Sequence, residues 1–127
     1  MALLLDSHAF VWWAREDTLL STSARSAIEN TDQVFVSVAT AWEIAIKVGK
    51  GKWPEAALIV DEFETTLSDH VFDVMPITVA DVRCAGMTLS QHRDPFDKLL
   101  AAQALNRDIA LVTSDRFMAS LGARTIW

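Results

Sequence analysis

The chain has little of what several common chemistries require. A single cysteine, Cys84, rules out an internal disulfide, cannot build a zinc site alone, and suits a reducing cytosol. Glycine and proline number only four and three, which speaks against linkers and disordered tails. No apolar run approaches membrane-spanning length. The opening Met1-Ala2-Leu3-Leu4-Leu5 meets Asp6 too early for a signal-peptide core and carries no basic leader. A cytoplasmic protein without a membrane partner is expected. His8, His70 and His92 stand singly, so no zinc spacing exists. Ser7, Ser37 and Ser114 lack a glycine-framed nucleophile turn, and there is no glycine loop to cradle phosphate.

What is present is a mostly apolar chain of 127 residues, enough for one domain, 1–127, with a proper core. Short β-rich runs at Ala2–Leu5, Gln33–Val38, His70–Met75, Ile109–Thr113 and Arg124–Trp127 predict five strands. Helical spacing is expected over Ser7–Arg15, a segment capped by Ser21 or Ser23 through Ile28, Ala39–Val48, Glu55–Ser68, a segment from Thr78 to about Leu89, and Arg116–Leu121. In the 55–68 segment Ala56, Ile59, Val60, Phe63 and Leu67 form one stripe, and in the next Val79, Val82 and Ala85 share a side. Strands alternating with helices predict an α/β fold, three layers around a central, mostly parallel sheet.

The organising stretch is Gln91-His92-Arg93-Asp94-Pro95-Phe96-Asp97, continuing as a helix to Leu105. Asp94 before Pro95 reads as a helix start. Leu100, Ala101, Ala104 and Leu105 share a face with Asp97, an unusual place for a carboxylate. Three more acids reach the same edge of the expected sheet. Asp6 follows the first strand, Asp115 follows the fourth, and Glu43 lies in the helix leaving the second. Ligands of such sheets sit outside the carboxyl ends of the strands. Four clustered carboxylates call for a cation, and an oxygen-only donor set favours Mg²⁺ or Mn²⁺ over zinc. A net charge of −6 therefore does not exclude nucleic acid, because a bound metal attracts phosphate.

Each acid also admits an ordinary role. Asp6 and Asp115 suit helix caps, Glu43 suits an i,i+4 pair with Lys47 on an exposed surface, and Asp97 favours the helix dipole. Asp94 reads as a cap and stays outside the metal set. The five tryptophans read as core or interface more readily than as base-stacking platforms.

The ordered segments Leu3-Leu4-Leu5-Asp6-Ser7-His8-Ala9 with Trp12-Trp13, Val38 through Lys47, His92 through Lys98, Leu111-Val112-Thr113-Ser114-Asp115 and terminal Ile126-Trp127 carry a resemblance. Nearly end to end, the chain resembles PIN-domain ribonucleases, specifically VapC-type toxins of bacterial toxin–antitoxin pairs. The family's acidic quartet falls on Asp6, Glu43, Asp97 and Asp115. Ser7, Asp94, Thr113 and Ser114 are polar neighbours suited to holding those acids in place. Lys98 stands where many relatives have arginine. The resemblance implies a Mg²⁺- or Mn²⁺-dependent endoribonuclease that cuts RNA needed for translation, forms a homodimer, and is silenced by a cognate antitoxin. Two other classes compete. A non-catalytic PIN-like module would bind RNA or protein, but it is expected to have lost an acid. A phosphotransfer domain is disfavoured because a phosphatase of that class has a second acid where this chain has His8.

Overall fold

A computed structural model describes residues 1–88 and 94–127. The chain runs β1 (Ala2–Leu5), α1 (Ser7–Ala14), α2 (Thr22–Glu29), β2 (Gln33–Ser37) and α3 (Val38–Gly49). It continues through a 3₁₀ turn (Pro54–Ala56), α4 (Ala57–Asp61), α5 (Phe63–Asp69), β3 (Asp73–Met75), α6 (Val79–Arg83) and a π turn (Cys84–Thr88). After residues 89–93 come α7 (Pro95–Arg107), β4 (Ala110–Val112), α8 (Phe117–Ser120) and β5 (Thr125–Ile126). The expected residues Leu89, Gln91, His92 and Arg93 fall outside the described ones.

All pairings in the five-stranded sheet are parallel, in the order β3-β2-β1-β4-β5. β1 is the centre, paired to β2 from Ala2↔Gln33 and to β4 from Leu3↔Ala110. The pleat sends successive side chains to opposite faces, so each face gets its own core. Leu3, Leu5, Val34, Val36 and Val112 join Phe10, Ile28, Ile44 and Phe63 on one side. Leu4, Leu111 and Met75 join Leu100, Ala101, Ala104 and Met118 on the other. Helices thus cover both faces, the three-layer α/β/α arrangement expected.

Four expectations need correction. The helix expected over Glu55–Ser68 breaks at Glu62, whose backbone leaves the helical region (φ −113°, ψ 42°). Its stripe survives the break: Ala56, Ile59, Phe63 and Leu67 are buried, and Val60 packs against the same core. The strand expected from His70 starts only at Asp73. His70 and Val71 end α5, Val71 in the left-handed region (φ 58°), while the Phe72 amide donates back to the Leu67 carbonyl at 2.8 Å.

On α6 the valines face outward. Val79 is 70% and Val82 55% exposed, whereas Asp81 is fully buried. The Arg107 guanidinium donates to both Asp81 oxygens, at 2.8 and 3.0 Å, and Asn106 donates at 2.9 Å. Burial opposes ionisation of Asp81. Arg107, Asn106 and the Thr78 amide outweigh it and hold the carboxyl well below the usual range. This bond to α7, together with a capping box with Thr78, sets which side of α6 turns inward. On α7, Leu105 is 39% exposed, while Ala102 and Gln103 are buried beside Leu100, Ala101 and Ala104. The helix packs against α3, α6 and β4 at once, so its small residues are covered on more than one side.

Candidate active site

The strand order reverses at β1, between β2 and β4, and this is where a parallel sheet opens a crevice at its carboxyl ends. Asp6 continues the β1–β4 ladder, its amide donating to the Val112 carbonyl at 3.1 Å. Its Oδ1 then accepts the Ala9 amide at 2.8 Å as the cap of α1. Beyond β4, the Asp115 amide donates to Thr113 Oγ1 at 3.1 Å, and Asp115 Oδ1 accepts the Phe117 amide at 2.9 Å. The Thr113 side chain also bonds Asp6, so one buried threonine ties the two acids together.

Glu43 is only 6% exposed, on the face of α3 that also buries Thr40. Its pair with Lys47 is real, 3.0 Å from Nζ to Oε2, but it is not the surface pair expected. Removing a carboxylate from water is costly without such a counter-charge. Asp94 caps α7, its Oδ1 accepting the Phe96 amide at 2.9 Å and the Asp97 amide at 3.4 Å. That cap fixes the first turn, and with it Asp97.

Asp6 and Asp94 cap their helices, Asp115 accepts an amide of the next helix and Glu43 pairs with Lys47 while buried, and these acids nonetheless line one cavity. Asp6, Glu43, Asp94, Asp97 and Asp115 line one cavity of about 250 Å³, with Ser7, Ser114, His8, Lys47 and Leu100. Size does not single it out, since a cavity of about 290 Å³ lies beside Trp12. Its lining does. His8 and Lys47 are the participants that sequence reasoning missed. A lone histidine carries no spacing signal, although Lys47 stood in view at i,i+4 from Glu43.

Burial pushes the Asp6 carboxyl up to about 6; Thr113 and the Ala9 amide pull it down, and the Glu43 and Asp115 charges add to the rise. The His8 imidazole is pushed below its ordinary value, chiefly by burial and then by Lys47, with Glu43 opposing.

The donors suit a hard divalent cation by chemistry: oxygen only, crowded, one of them held back from full ionisation. Among the described residues, however, no three histidine, cysteine, aspartate or glutamate side chains stand close enough together to hold an ion. Ligation would draw the carboxylates inward and compete with Lys47 for Glu43.

Residues 3–123 match the PIN domain family. The chain is 31% identical over 118 residues to Ribonuclease VapC22 of Mycobacterium tuberculosis (strain ATCC 25618 / H37Rv), covering 93% of this chain and 90% of that protein. Its fold is similar to that in the crystal structure of VapBC2 from Rickettsia felis bound to a DNA fragment from their promoter. There the TM-score is 0.67 at 16% identity, over 98% of this chain and 97% of the other. A toxin–antitoxin complex from Klebsiella pneumoniae superposes with TM-score 0.61 at 18% identity, over 89% and 86% of the two chains.

Proposed function

The chain belongs to the PIN domain family, and from that premise we propose that it is the toxin of a VapBC-type pair, a Mg²⁺- or Mn²⁺-dependent endoribonuclease restrained by a cognate antitoxin. The observation that carries this reading is the gathering of acids from four separate segments around one cavity at the sheet's switch point. The similarity to a ribonuclease over nearly the whole chain supports it. Asp6, Glu43, Asp97 and Asp115 are the proposed metal ligands, with Asp94, Thr113, Ser7 and Ser114 holding them in place. A bound ion would supply an activated water and stabilise charge on the phosphate.

The chain's own groups supply the rest. Thr113 holds Asp6 and Asp115 in register, the Asp94 cap orients Asp97, and the Lys47 ammonium pairs with the buried Glu43 carboxylate. An antitoxin segment carrying arginine would suit this cavity, because a guanidinium pairs with carboxylates in bidentate fashion. The protein is further proposed to work in the cytoplasm as a homodimer; no helix among the described residues is long and apolar enough to cross a membrane.

The test is to incubate purified protein with total RNA, with and without Mn²⁺, and to map the new ends. Cleavage should require the metal, and Glu43→Ala, Asp97→Ala and Asp115→Ala should each abolish it. Two or more of these variants cutting at the parental rate would sink the assignment. A protein that binds RNA but never cuts it would instead be the non-catalytic module.

A further inference from the structure

The acid cavity does not end at its acids. It shares His8 and Lys47 with a second cavity of about 230 Å³, lined by His8, Lys47, Lys52 and Trp53. Trp53 also borders the third, about 290 Å³, with Trp12 and Arg15. Three hollows thus share their walls in succession; the middle one is lined by rings and cations alone, while the outer one adds Asp17 and Glu55 to Trp12, Arg15 and Trp53.

The rings are already ordered. His8 lies between Trp53 and Trp12, with centroids 4.7 and 5.2 Å away, and its plane is only 32° from that of Trp53. The Lys47 ammonium sits 5.4 Å from the Trp53 ring centre, and the Arg15 guanidinium donates to the Glu55 carbonyl at 3.1 Å. Lys47 is the counter-charge of Glu43, but Lys52 beside it on the same hollow needs another explanation in a chain with 17 acidic and 11 basic residues.

An anionic polymer with flat side groups answers both features. Bases stack on aromatic rings whatever their sequence, and phosphates seek the ammonium groups between them. A peptide bearing arginine, which the acid cavity attracts, would meet Lys47 and Lys52 in the middle hollow and no carboxylate lining it. We infer that this furrow holds the single-stranded RNA on one side of the cut, with a base on Trp53 and a phosphate on Lys52. The inference rests on the nuclease reading and deepens it. Trp53 and Lys52 are positioning residues, not catalytic ones.

The experiment has two arms. In Mn²⁺, the cleavage kinetics of a single-stranded RNA containing a mapped site are compared for the parent, Trp53→Ala, Trp53→Phe and Lys52→Ala. In EDTA, binding of the same RNA with a fluorescent label is followed by anisotropy across a salt series, and melting curves monitor folding. Trp53→Ala should raise KM and weaken binding about tenfold with kcat retained, and Trp53→Phe should recover most of the loss. Lys52→Ala should lower the salt slope of binding by roughly 0.7. Should Trp53→Ala fail to fold, the exposed Lys52 still decides the matter.

Unchanged KM, affinity and salt slope in a protein that cuts RNA would overturn the furrow and leave the nuclease standing. Binding that depends on Trp53 and Lys52 in a protein that never cuts would do the reverse. If the substitutions weaken only an arginine-bearing antitoxin peptide, the furrow belongs to the protein partner and the inference is wrong.

Discussion

As the cap of α1, Asp6 serves the fold best as a hydrogen-bond acceptor, and it needs no charge to do so. As a cavity wall it is raised to about 6 by burial and by neighbouring acids, so its ionisation works against the metal-free protein. Asp6→Asn separates the two roles, since asparagine caps as well as aspartate. Without metal, this variant should be more stable than the parent at neutral pH, by on the order of 1–2 kcal/mol. The gain should be absent below about pH 4, where Asp6 is protonated in both folded and unfolded chains, and complete above about 6, the folded value. Melting in EDTA across that window checks it; a gain independent of pH would mean that charge crowding is not the cause. Asp6, Asp97 and Asp115 stood out in the sequence because each follows a strand or opens a helix, and Glu43 because it lies in the helix leaving the second strand. Asp81 did not. Its neighbours Val79 and Val82 carry the apolar spacing, and the distant Arg107 and Asn106, with the Thr78 capping box, explain why the acid turns inward instead.

Capped helix starts proved easier to read than a break inside a helix or the start of a strand. Ser21, Thr78 and Asp94 cap their helices as the sequence indicates, because a cap is decided within three residues of chain. The break at Glu62 and the late start of β3 depend instead on how α5 must turn to reach the sheet, which no local pattern encodes. Val71 bears the cost of that turn. A β-branched residue in the left-handed region is strained by roughly 1–2 kcal/mol, and its side chain is exposed, so it packs against little that offsets the strain. Val71→Asn should therefore stabilise the protein by about 1 kcal/mol, read from the urea midpoint at unchanged slope. A neutral or destabilising result would show that the Val71 side chain makes contacts worth more than its backbone strain.

At the scale of the whole molecule, the parallel sheet with helices on both faces was implied by the alternation of strands with helices, whereas the order β3-β2-β1-β4-β5 was not. The outward strip of Val79, Val82 and Met87 was not, for it appears only when α6 is turned by Asp81. A homodimer is predicted, and light scattering over a wide concentration range should show twice the mass of one chain. A constant monomer mass would refute it, and if this strip is the contact, Val82→Glu should dissociate the pair. The central place of β1 has one more consequence, which concerns the nascent chain. β1 is synthesised first, yet its β4 partner comes more than a hundred residues later, and Asp115 later still. Contacts this distant in sequence form late. A polypeptide broken off before β4 would carry Asp6 and Glu43 without Asp115 or the wall that holds it. On the proposed reading, translation itself keeps the product harmless until β4 and Asp115 have been made.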